Sequence, residues 1–186
     1  EDSISNQFQD GTANIADVKQ IAAALSSANQ QQQGLGNDAA AVQDSATSTI
    51  DQQQSGQYNA GYAEQLHEDG STIQQLQSGT YNNTHASQSI GVGSSEALQQ
   101  QEGNGNFSLI YQSSQDGASA KTFQFGDNNE ANVEQTEVGI GNKATVTQHG
   151  NENYGTAEQV LHNGARMDIN QNGDGNYAYG DQRNGL

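Results

Sequence analysis

From Ser48 onward every second residue is small, apolar or a glutamine: Ser48, Ile50, Gln52, Gln54. The run from Ala165 reads Ala165, Met167, Ile169, Gln171, and the run from Asn129 reads Asn129, Ala131, Val133, Gln135. Between them stand the charges and most of the aromatics: Asp51, Tyr62, Glu64, Phe123, Glu134, Tyr154, Glu158, Tyr177 and Asp181. Alternation at period two marks a strand with one face turned inwards. The pattern predicts a strand of about seven residues, a four-residue turn, a second strand of about seven and a looser turn.

This unit occurs eight times. Each copy opens on a glutamine: Gln9, Gln32, Gln54, Gln77, Gln101, Gln124, Gln148 and Gln171. Two residues later come Gly11, Gly34, Gly56, Gly79, Gly103, Gly126, Gly150 and Gly173, and three further on Asn14, Asn37, Asn59, Asn82, Asn106, Asn129, Asn153 and Asn176. The closing glutamines are Gln20, Gln43, Gln65, Gln88, Gln112, Gln135, Gln159 and Gln182. Copies follow at 22 to 24 residues, yet the leading-to-closing distance never changes, so the length variation falls in the loop after the closing glutamine. The repeats span 3–25, 26–47, 48–70, 71–94, 95–117, 118–141, 142–164 and 165–186, within one solenoid domain of residues 1–186.

One strand-turn-strand unit cannot bury its face alone. Stacked copies can, with each strand pairing in parallel register to its equivalent at about 4.8 Å. The expected fold is an all-β solenoid of eight β-arches, with two parallel sheets facing across a thin core of Ala, Gly, Ser and Val. The third place of the second strand is small throughout: Ala16, Ala39, Gly61, Thr84, Ser108, Ala131, Gly155 and Ala178. The glycine suits a turn with positive φ or close backbone approach. A buried amide is costly unless paired, and in a stack it meets its own copy one rung away. The three fixed amide columns therefore read as structural ladders. The first five copies also carry Gln7, Gln30, Gln52, Gln75 and Gln99 two places before the leading glutamine, and the last three carry Thr122, Val146 and Ile169.

Composition narrows the function. Only 31% of residues are hydrophobic, and Trp, Pro and Cys are absent, which rules out an ordinary aliphatic core and any disulfide or thiol chemistry. A net charge of −17 with five basic residues argues against nucleic acid as a partner, and no apolar run is long enough for membrane insertion. The first and last rungs expose strand edges with no Pro to blunt them. Stacking of one chain's first rung on another's last is a heterologous contact that does not close, so it propagates a filament.

The motif Ser-x5-Gln-x-Gly-x2-Asn-x-Ala-x3-Gln resembles the curlin repeat of curli subunits, a secreted bacterial amyloid. "STIQQLQSGTYNNTHASQ" from Ser71 fits with Thr84 in place of Ala, and "ASAKTFQFGDNNEANVEQ" from Ala118 fits with Ala in place of the first Ser. The likeness covers essentially the whole chain. It implies a structural subunit, with no catalytic role and no cofactor, that polymerises head to tail with itself into extracellular cross-β fibres at the bacterial cell surface. Those fibres serve biofilm matrix, surface adhesion and cell aggregation. The implied further partners are a nucleator subunit and a curli-type secretion pore. The chain departs from the best-known major subunit in having eight repeats rather than five, and it opens without a Gly/Asn-rich export leader, so trimming or another export signal is expected. Regular motifs in every copy favour the major subunit over the nucleator. The alternative is a monomeric β-solenoid adhesin or ice-binding module, although no outward Thr column exists.

Other chemistry finds little footing. His67 and His162 fall in loose turns, His149 in a tight turn and His85 on an outer face, so no convergent metal site is expected. Acidic turns such as Asn172 to Asn176 ("NGDGN") share composition with calcium loops, but the nine-residue period of calcium rolls is absent. Every carboxylate is expected in a turn or facing outward, and a flat solenoid offers no catalytic pocket. Glu134, Glu158 and Asp181 occupy one outward column in consecutive repeats, where like charges predict repulsion that acid or salt relieves. Tyr154 and Tyr177 share another column and are expected to stack; Phe8, Phe107, Tyr111 and Tyr179 also face outward.

Overall fold

A computed structural model describes residues 3–91, 93–137, 139–160 and 163–183. His162 and the extremities of the 1–186 span lie outside the described residues. The first rung is β1 (Ile4–Thr12) and β2 (Ile15–Gln20), the second β3 (Ser27–Leu35) and β4 (Asp38–Ala46), the third β5 (Thr49–Gln57) and β6 (Ala60–Asp69). The fourth is β7 (Thr72–Thr80) and β8 (Asn83–Ser89), and the fifth β9 (Glu96–Asn104) and β10 (Phe107–Ser113), followed by the two-residue β11 (Gln115–Asp116). Then come β12 (Ser119–Phe125), β13 (Glu130–Thr136), β14 (Gly139–Ile140), β15 (Lys143–His149), β16 (Tyr154–Val160), β17 (Arg166–Asn172) and β18 (Tyr177–Arg183).

The first strands of the eight rungs form one parallel sheet, β1-β3-β5-β7-β9-β12-β15-β17, and the second strands form the other, β2-β4-β6-β8-β10-β13-β16-β18. Register follows the repeat: Gln9 pairs with Gln32 and Gly11 with Gly34, and at the other end Gln148 pairs with Gln171. The fold is thus the β-solenoid of two facing parallel sheets that the alternation implies. The first strands of the first five rungs are longer than expected, at nine residues, because they run on through the turn glycine. The last three keep seven.

The core is thin. Its apolar members are Ala28, Ile50, Ile73, Ala97, Ala120, Ala144 and Met167 from the first sheet, facing Ala41, Ala63, Ala86, Ile110, Val133 and Ala157 from the second. Where a rung carries a large core residue on one sheet, the other sheet supplies a small one; the second and seventh rungs have alanine on both. Ile50 and Ile73 stand with Ala63 and Ala86, whereas the fifth rung reverses the order with Ala97 and Ile110. In the last rung a methyl on Gly180 would stand 3.2 Å from Met167 Cε. No rung of this cluster carries a branched side chain from both sheets.

Candidate functional site: amide ladders and open rung ends

The leading glutamines form an unbroken ladder. Each Nε2 donates to the Oε1 one rung on, from Gln9 to Gln32 at 2.8 Å, through Gln54, Gln77, Gln101, Gln124 and Gln148, to Gln171 at 2.9 Å. The second Nε2 proton crosses the core to a backbone carbonyl of the facing sheet, as from Gln32 to Ile15 and from Gln124 to Phe107. The closing glutamines do the same in the same direction, from Gln20 to Gln43 at 2.9 Å through Gln65, Gln88, Gln112, Gln135 and Gln159 to Gln182 at 2.8 Å. Both amide protons and the carbonyl of an interior rung such as Gln32 are then satisfied, which is what allows full burial.

The asparagines run the other way. Asn37 donates from Nδ2 back to Asn14 Oδ1, Asn59 to Asn37, Asn106 to Asn82, Asn129 to Asn106, Asn153 to Asn129 and Asn176 to Asn153, at 2.9–3.2 Å. The backbone N–H of Asn82 likewise donates to Asn59 Oδ1. The remaining Nδ2 proton of Asn37 reaches the carbonyl of Gly56 in the following rung. Asparagine therefore ties the turn to the rungs above and below.

The turn glycines explain their own presence. Gly11, Gly34, Gly56, Gly79, Gly103, Gly126, Gly150 and Gly173 all have φ between 103° and 124°, outside the range of L side chains. At the first seven, a methyl would run into the carbonyl of the equivalent glycine one rung on; at Gly173 it would meet only Asn176 Nδ2 at 3.6 Å. A second strained position lies two residues later, unmarked by any invariant residue. There the left-handed residue is Gly36, Gly105, Asn128 or Gly175 in four rungs, but Ala13, Tyr58, Tyr81 and Glu152 in the others.

A further glutamine ladder fills half of the interior. Gln7, Gln30, Gln52, Gln75 and Gln99 link at 2.7–3.0 Å. It ends where Gln99 donates to Ser108 Oγ at 2.9 Å, and that hydroxyl lies 2.6 Å from Thr122 Oγ1. Beyond it Val146 and Ile169 need no partner. Opposite Val146 only glycine fits, since a methyl at Gly155 would stand 2.8 Å from Val146 Cγ1. Thr84 is buried, and its hydroxyl has no partner among the described residues.

Several expectations need correction. Glu68, expected in a turn or facing outward, lies near the end of β6 and is only 3% exposed. Its carboxylate accepts from Ser71 Oγ at 2.8 Å, and burial raises its pKa, opposed by the Ser71 hydroxyl and the Gly91 amide and reinforced by Asp116. The acidic column is not bare, because Arg183 binds both Glu158 and Asp181. Nor are the outer faces flat. An open groove of about 270 Å³ runs between side chains of the first sheet beside Gln31, Gln53 and Leu76, and another of about 420 Å³ lies on the second beside His85, Tyr111 and Glu134. In the latter, burial lowers the His85 pKa, partly offset by Glu64. The aromatic columns do stack: Tyr154 on Tyr177 at 5.1 Å, as expected, and also Tyr58 on Tyr81 and Phe125 on His149. Among the described residues no three His, Asp or Glu side chains converge as metal ligands.

The first rung leaves β1 and β2 as sheet edges, and the last leaves β17 and β18. Because the ladders have direction, these two ends differ chemically. At the first rung the carbonyl oxygens of Gln9 and Gln20 point away from the stack. At the last rung one amide proton each of Gln171 and Gln182 and the oxygen of Asn176 are left over among the described residues. No family model and no curated protein matches the chain.

Proposed function

We propose that this chain is a structural subunit of the curlin-repeat type, which assembles with its own copies end to end into secreted, extracellular cross-β fibres for biofilm matrix, adhesion and cell aggregation. The observation that carries this reading is the complementarity of the two open ends. Stacking the first rung of one copy on the last rung of another brings Gln171 and Gln182 donors to Gln9 and Gln20 acceptors, and Asn14 to Asn176. Reversing one copy sets acceptor against acceptor. The core volumes also continue: Met167 and Gly180 would be followed by Ser5 and Val18, a large-to-small switch between sheets like the interior step from Ile73 and Ala86 to Ala97 and Ile110. Open edges of this length otherwise invite aggregation and are normally capped.

The test is Gly173→Ala. A methyl there meets no carbonyl within the chain, but in a head-to-tail stack it would strike Gly11 of the next copy, as it would at every interior turn. The wild-type chain should form fibres with a meridional reflection near about 4.8 Å. The Gly173→Ala variant, strained by its positive φ only in the last turn, should keep most of its strand circular dichroism and stay monomeric. A wild-type chain that remains monomeric at high concentration defeats the proposal and points to a solenoid binding module. A variant that polymerises like wild type shows that this end is not the growing contact.

A further inference from the structure

The interior column that begins at Gln7 changes character along the chain, and this matters where copies meet. In the direction of donation, the switch from amide to apolar is made once, at Ser108, whose hydroxyl receives the last glutamine and is itself bonded to Thr122 Oγ1. The opposite switch, from apolar back to amide, has no place inside the chain. Gln7 donates its Nε2 to Gln30 at 3.0 Å, so its Oε1 faces out of the first rung. Every later glutamine of this column has that oxygen filled by the amide before it. In the head-to-tail stack the residue before Gln7 is Ile169, partly buried against the apolar core, with no proton to donate.

We infer that the contact between copies lacks one of the ladders that tie most interior rungs, leaving the Gln7 carbonyl unmet against Ile169, and that the filament therefore parts between subunits rather than within them. This rests on the head-to-tail reading above. The leading, closing and asparagine columns all continue across the junction, so the defect is confined to one position and does not prevent stacking. Once a second copy covers Gln7, its carbonyl loses water without gaining a donor, which is the costly case for a buried acceptor.

Two variants test this, read as the critical concentration for filament formation and the urea midpoint of the fresh monomer. Gln7→Thr removes the outward carbonyl from a rung that is exposed in the monomer. It should lower the critical concentration about tenfold, the scale of one unmet buried acceptor, and lower the monomer midpoint as well, because Gln30 Oε1 loses its Gln7 donor in monomer and filament alike. Ile169→Gln supplies the missing donor but places its own carbonyl against Val146, moving the defect from the junction into the chain. It should lower both the critical concentration and the monomer midpoint, whereas a merely destabilising substitution would raise the former. Filaments whose critical concentration is unchanged or raised in both variants overturn the inference and leave the assembly reading standing. Absence of filaments from the wild-type chain overturns both.

Discussion

Arg183 Nη2 lies 2.6 Å from Glu158 Oε1, one rung back, while its Nε lies 3.0 Å from Asp181 Oδ2 in its own rung. One guanidinium thus spans two members of an acidic column that would otherwise repel. The interaction is surface-exposed, so its effect belongs to ionic strength rather than to the fold. Arg183→Gln should lengthen the lag of thioflavin-detected assembly at neutral pH in low salt, and added salt should restore it. A lag that is unchanged at low salt would show that the column exerts no net repulsion.

A buried ladder rung should be less replaceable than an end rung. Gln101→Leu leaves the Gln77 amide and the Gln124 carbonyl unpaired inside the core. Each costs about 1–3 kcal/mol, so a loss of about 2–5 kcal/mol is expected by urea denaturation of the monomer. Gln9→Leu leaves one buried group unpaired, the Gln32 carbonyl, rather than two, and should cost about half as much, about 1–3 kcal/mol. Equal losses at the two positions would show that ladder continuity is not what holds the amides.

The large-small alternation across the core makes a compensating swap possible. Ile110 is fully buried in the rung where Ala97 stands on the other sheet. Ile110→Ala should cost about 2–5 kcal/mol through the lost transfer energy and the cavity left behind. Adding Ala97→Ile rebuilds the arrangement of the Ile73 and Ala86 rung, and the double variant should recover more than half of that loss in a double-mutant cycle. Strict additivity would mean that the two sites do not share one space.

Glu68 gives the fold a pH dependence of defined sign. Its native pKa is raised, mainly by burial, above the ordinary value of about 4.5, so the folded chain holds that proton more tightly than the unfolded one. The resulting contribution is fully present below the ordinary value and is lost as pH climbs through the raised one. Glu68→Gln keeps an acceptor for Ser71 Oγ without the charge. The variant should match the wild type in acid and exceed it at neutral pH, measured as urea midpoints at both. A wild-type advantage at neutral pH would reverse the assignment.

Much of this architecture was legible because the repeat states it eight times over. Invariant offsets of Gln, Gly and Asn can be read without knowing the fold, and period-two alternation then leaves only stacked strands. What stayed hidden depends on which residues face each other. The trade of Ile73 for Ile110 between sheets is invisible until strand partners are paired across the core. The reversed direction of the asparagine ladder follows from turn geometry, which brings Asn37 Oδ1 to the backbone N–H of Asn59. Tyr58 and Tyr81 carry positive φ against their own preference, and their rings stack on each other. Glu68 read as a solvated turn charge because nothing local to it signals that the neighbouring loops close over it.

The opposed amide columns carry one more consequence. Peptide side-chain dipoles that line up rung after rung add along an axis, and here two glutamine columns outnumber one of asparagine. A stack of any length therefore keeps a head and a tail, like an arrow whose point can be identified from either tip. In the head-to-tail assembly proposed above, a tip displaying carbonyls and a tip displaying amide protons would recruit the next copy at different speeds. Fixing one of them to a surface would set the heading of everything added afterwards.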